Sequence, residues 1–281
     1  MSITIQTATE SITFKLEKLT QPGDANTKLR KNGGRGFATI GLSLSPHKLA
    51  WKHIADGIVK IMESGQSDRS VNLCGGASDG CVGACLDHQG MASVFARIRL
   101  ARQAKTIHFF EERQEFLTQL RREISNAEKT ADRKDLRLAC RLNVFSDFPW
   151  ESTGIIDEFP NVEFYDYTAI PKRAGAVRKN YWVTLSRKEN NETACIDALN
   201  RCCNVAVCFA DSKNPYVGNR SGQQRLPRKW NGFDVFDGDE SDLCFQDVRG
   251  RKRGRIRGLR LKTHSHAERQ AAIDSGFAVE F

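Results

Sequence analysis

Cys74, Cys81 and Cys85 stand in one short glycine-rich stretch, Cys74-Gly-Gly-Ala-Ser-Asp-Gly-Cys81-Val-Gly-Ala-Cys85. The spacing is C-x6-C-x3-C. Three thiolates on one flexible loop are what a 4Fe–4S cluster with an open iron site requires. They are also the greater part of a zinc site whose last ligand comes from elsewhere, with His88 and Cys140 as candidates. The neighbouring Gly, Ala, Ser and Asp residues give the loop freedom to wrap such a group. Cys195, Cys202, Cys203 and Cys208 form a second group, but their positions fit core packing, where thiols behave as small apolar side chains.

Polar residues at the ends of apolar segments supply the other candidates. Asp147 and Asp166 are placed for proton transfer or substrate contact, and Asn143, Ser146 and Ser186 for binding the polar groups of a cofactor. Ser146 and Asp147 precede a short helical stretch and are equally good helix caps. Arg141 reads as an anion clamp or an ion-pair partner, and Tyr165 and Tyr167 as packing residues with a polar tip. Asp237, Asp239, Glu240 and Asp242 lack a calcium-loop pattern and read as an acidic turn. His264 and His266 read as solvated.

The elements that must position these groups follow from apolar periodicity. Residues 37–45 form a buried strand ending at Pro46, and Trp51 to Met62 shows apolar residues at helical spacing. Helical faces continue through Val94 to Ala101 and Phe109 to Ile124, and Ser125 to Asp135 reads as a charged connection. Strands are expected at 136–144, 162–168, 181–186, 205–209, 233–236 and 255–262, with a helix near 193–202. Short apolar strands alternating with helices predict an α/β fold with a parallel sheet. With about six strands, the expectation is a partial or distorted parallel (β/α) barrel. Sites in such folds form at the carboxyl ends of the strands, which brings the polar residues and the cysteine loop to one rim.

The chain has 281 residues and a net charge of +9. The expected organisation is an N-terminal extension over residues 1–36 and one barrel-like domain over 37–281. Within the extension, the polar stretch Asn26 to Gly36 reads as a loop. Eight of the basic residues fall in the segment 249–262, without which the chain is nearly neutral. Such a block suggests a polyanion partner, a nucleic acid or nucleotide, contacted by Arg251, Lys252, Arg253, Arg255 and Arg257. The alternative is a strand edge guarded by charge. No apolar run reaches membrane-span length and no signal peptide is evident, so a cytoplasmic location with reduced thiols is expected.

Four blocks carry a resemblance. They are Gly41-Leu-Ser-Leu-Ser-Pro46, the loop from Cys74 to Leu86, Arg141-Leu-Asn-Val-Phe-Ser-Asp147 with Trp150-Glu151, and Phe164-Tyr-Asp-Tyr-Thr168. Through them the chain resembles an uncharacterised family of bacteriophage and plasmid proteins related to mycobacteriophage gene product 88, which implies a mobile-element context. The cysteine triad after the first long strand also resembles radical S-adenosylmethionine enzymes, whose usual spacing is C-x3-C-x2-C. That resemblance implies a 4Fe–4S cluster, S-adenosylmethionine as cofactor and a modified nucleotide or nucleic acid as product. A zinc-stabilised nucleic-acid-binding protein without enzymatic activity is the alternative.

Overall fold

The computed structural model describes residues 2–23, 32, 35–85, 87, 95–248 and 252–281. Its centre is a run of seven parallel strands. In chain order these are β4 (Phe37–Leu42), β8 (Arg137–Arg141), β9 (Glu163–Thr168), β11 (Tyr181–Ser186), β12 (Val205–Ala210), β14 (Phe233–Asp237) and β15 (Ile256–Arg260). In space they lie in the order β4, β8, β9, β11, β12, β15, β14, so only the last two exchange places. The sheet is closed off by antiparallel neighbours, β3 (Thr20–Pro22) on β4 and β13 (Lys229–Trp230) on β14. Two short strands, β10 (Gly175–Arg178) and β16 (Val279–Glu280), pair with β11 and β12.

The α/β class therefore holds, but the sheet contains strands of both orientations and its edges do not meet among the described residues. A parallel barrel is not confirmed. Crossover helices are scarce: only some parallel strands are followed by one, so there is no full outer ring to curl the sheet shut.

A second sheet of five strands holds the other half of the N-terminal region. It runs β2 (Ser11–Lys15), β1 (Ser2–Gln6), β6 (Ile58–Ile61), β5 (Leu49–Ala55), β7 (Arg69–Val71). The residues read as an N-terminal extension thus supply β1 and β2 to this sheet and β3 to the edge of the main one. Most of Asn26 to Gly36 lies outside the described residues. Trp51 to Met62 is not a helix. It is the β5–β6 hairpin, turned at Asp56-Gly57 with Gly57 at φ +67°. An Asp-Gly pair with a left-handed residue matches the twist of antiparallel strands, and the β-branched Ile54, Ile58, Val59 and Ile61 suit the pleat. The helical spacing was coincidental: Trp51 is buried while Ile54 is half exposed.

Two long helices join the sheets, α2 (Ala96–Glu111) and α3 (Arg113–Asp132). Helix α3 runs through the stretch read as a charged connection, because Ile124 and Ala131 continue its buried stripe, and Asp135 turns left-handed just beyond it. Phe109, Phe116, Leu120 and Ile124 pack on Ile40, Leu42, Leu138, Cys140 and Phe164, one face of the main sheet. Ala104 and Ile107 of α2 face the second sheet, against Ile5, Phe14, Leu16 and Trp51.

Glu123 of α3 locks the link between the sheets. Its carboxylate accepts the backbone N–H groups of Leu19 and Thr20, each at 2.8 Å, the Thr20 hydroxyl at 2.7 Å and Gln119 Nε2 at 2.9 Å. Lys105 of α2 donates to the Leu19 carbonyl at 2.7 Å. Both Leu19 and Thr20 are buried, so removing the carboxylate strands two N–H groups. Glu123→Ala is expected to lower the unfolding free energy by about 3 kcal/mol. Urea denaturation measures the loss, and amide exchange should show it first at Leu19 and Thr20.

Candidate functional site

Asn143, two residues past β8, ties the turn after that strand to β9. Its Oδ1 accepts from Ser146 Oγ at 2.9 Å, the Phe148 N–H at 2.9 Å and Trp150 Nε1 at 3.1 Å. Its backbone N–H donates to Asp166 Oδ1 at 2.8 Å and its Nδ2 to Asp166 Oδ2 at 3.1 Å. The Tyr181 hydroxyl of β11 donates to the same carboxylate at 2.9 Å. Asp166 is 1% exposed and accepts these three hydrogen bonds, with Arg141 Nε 4.0 Å away. Asp147 is also engaged: it accepts from the Ala169 N–H at 2.8 Å and the Thr168 hydroxyl at 3.0 Å, and pairs with Arg173. Arg173 in turn holds Glu151 through two nitrogens. Asn143, Ser146, Asp147 and Asp166 are thus brought together as expected, but as the frame of the rim, with their polar atoms satisfied internally.

On that frame rests the cysteine loop. The turn after β8 holds its start, with the Asp147 N–H donating to the Leu73 carbonyl at 2.8 Å and Cys74 Sγ to the Phe145 carbonyl at 3.7 Å. Gly76 packs so closely on Ala169 and Ile170, just past β9, that a Cβ would fall 2.8 Å from Ile170 Cγ1. Lys188, just past β11, donates from Nζ to the Gly76 carbonyl at 2.7 Å. Cys81 lies in a short helix, α1 (Asp79–Gly83), capped by the Ser78 hydroxyl, which accepts from the Cys81 N–H. Ala84, beside this helix, packs against the small core formed by Ala210, Leu261, Ala278 and Ala272, the last from the C-terminal helix α4 (His266–Asp274). Cys85 Sγ accepts from the Asp87 N–H at 3.4 Å, and Asp87 pairs with Arg102, whose guanidinium lies 3.8 Å over the Phe145 ring. The loop therefore sits across the carboxyl ends of β8, β9 and β11.

None of the three cysteines is in a disulfide, and all are partly buried. Burial, then the charges of Asp147, Cys85 and Cys81, push the Cys74 thiol well above the ordinary thiol range. Burial, then Cys85 and Glu189, push Cys81 up to about 11, opposed by Lys188. The three sulfurs are near enough to feel one another, and two carboxylates add to the same sign. A cation is the group that relieves such an arrangement, and soft thiols on a loop suit iron–sulfur or zinc chemistry. Among the described residues, no three His, Cys, Asp or Glu side chains already form a ligating group. The donor chemistry fits; the ligand set is not closed.

Other expected site residues fall elsewhere. Cys140 is fully buried in the helix-facing core, which removes it as a fourth ligand; His88 lies outside the described residues. Ser186 ends β11 half-buried, its carbonyl accepting from Asn191 Nδ2 at 2.9 Å. Arg141 reaches inward to Asp242 at 2.9 Å and covers the Tyr167 ring at 4.7 Å. Arg251 lies outside the described residues. Lys252 and Arg253 are exposed, but Arg255 lies 3.7 Å over the Phe236 ring, and Arg257 is 4% exposed and donates to the Ser241 carbonyl. Arg260 and Lys262 pair with Asp237 and Asp239. Much of the basic segment is thus consumed by β15 and its neighbours. Lys188 and Glu189 were missed; the signal was their place just past a strand end, in Arg187-Lys-Glu.

A family model described as Gene product 88 matches residues 18–280. The chain belongs to that bacteriophage protein family. No curated protein and no solved structure matches it. No helix among the described residues is long and apolar enough to cross a membrane.

Burial raises the Asp166 carboxyl to about 7, against the opposing pull of Arg141, the Asn143 N–H and the Tyr181 hydroxyl. The folded protein holds this proton more tightly than the unfolded chain, whose carboxyl titrates near ~3.9. This group's contribution to stability is therefore present at acid pH and lost as pH rises through about 7. Asp166→Asn removes that loss. The stability of the variant relative to wild type, from denaturant titrations at stepped pH, should rise between about pH 4 and 7 and then level off. A difference that is flat with pH would contradict the raised carboxyl.

Proposed function

We propose that this member of the Gene product 88 family is an iron–sulfur protein whose 4Fe–4S cluster is held by Cys74, Cys81 and Cys85 at the carboxyl edge of its parallel sheet. The observation that carries the reading is the convergence of three thiols on one rim. The rim belongs to a sheet whose first parallel strand, β4, precedes the loop and whose next strands follow in nearly sequential order. That plan is what a partial barrel of the radical S-adenosylmethionine kind would need. S-adenosylmethionine is the cofactor it suggests, and a nucleotide or nucleic acid the substrate class.

Bound there, the cluster would supply one-electron chemistry or a Lewis-acidic iron. The chain's own residues do the rest of the work. Asn143 and Asp166 fix the strand ends, and Asp147 and Arg173 fix the turn that carries Phe145. Lys188 holds the loop at Gly76 and sets a positive charge beside Cys81. Asp147 and Asp166 accordingly act as positioning residues. The alternative of a zinc-stabilised nucleic-acid-binding protein draws less support, because Arg257 is buried and Arg260 and Lys262 are already paired.

Anaerobic purification and reconstitution with iron and sulfide test the reading. About four irons and four sulfides per chain are expected, with visible absorption that bleaches on reduction. Cys74→Ser, Cys81→Ser and Cys85→Ser should each lose most of the iron. A colourless protein holding one zinc per chain and no iron after reconstitution would sink it.

A further inference from the structure

We infer that Glu189 is the fourth donor of the metal centre, its carboxylate completing the set begun by Cys74, Cys81 and Cys85. The inference rests on the reading that the triad holds a metal, and it adds a residue that the cysteine spacing gave no reason to include.

Glu189 follows the end of β11 by three residues and is thereby delivered to the rim. Its carboxylate is pressed against the cysteine loop itself. A Cβ at Gly80 would collide with Glu189 Oε1, and the same position is walled by Ser275 Oγ and Phe277 Cβ, each at 2.8 Å. Glycine is thus needed next to Cys81 for the carboxylate to come this close. Glu189 Oε2 is buried and accepts no hydrogen bond, and no ion pair reaches Glu189 among the described residues. The cations nearby are directed elsewhere. Lys188 donates to the Gly76 carbonyl at 2.7 Å, and Arg187 donates to the carbonyls of Gly276 and Phe277 and lies 3.8 Å from Glu192.

A buried carboxylate oxygen without a donor is costly, more so beside three thiols of the same sign when ionised. No donor among the described residues reaches that oxygen, and the Lys188 ammonium nearby is directed at the Gly76 carbonyl, so the partner we assign to it is a metal cation. Carboxylate oxygen is an ordinary ligand for zinc, alone or with thiolates, and it is harder and more weakly held on iron than a fourth thiolate would be. A centre that Glu189 closes as the donors draw in on the metal would be complete at rest and would carry one ligand that a substrate group can displace.

The test uses the full chain and its Glu189→Gln and Cys208→Ser variants. Each is loaded with zinc alone in competition with a coloured chelator, and separately reconstituted with iron and sulfide. The amide keeps the shape and removes the charge. Apo Glu189→Gln should melt at or above the wild-type temperature, because an unpaired buried charge is gone, while its metal affinity falls by about tenfold to a hundredfold. A structural role would move both in the same direction. If Glu189→Gln binds metal as wild type does, or Cys208→Ser loses it instead, the inference is overturned while the triad reading stands. If wild type takes up neither metal, the triad reading fails and the inference with it.

Discussion

The carboxyl side of this protein depends on one buried amide. Asn143 spends both ends of its side chain and its backbone N–H on six hydrogen bonds, four to Ser146, Phe148 and Trp150 after β8 and two to the Asp166 carboxylate of β9. Because Asp166 also takes the Tyr181 hydroxyl, three parallel strands are tied at one level. The turn thus fixed carries Phe145 and Asp147, and these hold the first residues of the cysteine loop. A network of this kind is stabilising only when each member is satisfied. That is the reason its carboxylates, Asp147 and Asp166, are each held by several donors of the chain.

Much of this was legible in the sequence. Strands β8, β9, β11 and β12 announce themselves as short apolar runs, and polar residues at their ends do meet at one rim. What the runs do not reveal is where a polar atom points. Asn143, Ser146, Asp147 and Asp166 look alike as site residues whether they face a substrate or one another. Only the partners, Trp150 Nε1, Tyr181 and Arg173, decide between the two, and Tyr181 and Arg173 come from beyond the next strand. The β5–β6 hairpin shows a different blind spot. Four apolar residues at helical spacing satisfied one period by chance, while a single Asp-Gly pair carried the true signal.

The basic segment shows how composition misleads. Eight cations within residues 249–262 suggest a stripe facing solvent, yet β15 lies between β12 and β14 inside the sheet. A strand in that position can keep Arg257 and Arg260 only if its neighbours supply acceptors. The Ser241 carbonyl, Asp237 and Asp239 do so. The acidic turn and the basic strand are therefore one feature, separated by some twenty residues of chain and read apart in the sequence.

Charge balance then sets the cysteine loop apart from the rest of the rim. Arg141 answers Asp242, Arg173 answers Asp147 and Glu151, and Arg102 answers Asp87. Each buried acid of that frame has a guanidinium at hand, which is the condition under which burying it is tolerable. At the loop the rule lapses. Three thiols and the Glu189 carboxylate face one ammonium, and Lys188 spends its hydrogen bond on a backbone carbonyl. A chain that compensates its buried acids so consistently elsewhere on the rim leaves the Glu189 Oε2 oxygen beside these thiols without a donor among the described residues. That oxygen lies against a loop held by the turn after β8, by Ala169 and Ile170 and by Lys188, so the backbone that presents it is fixed from three strands at once.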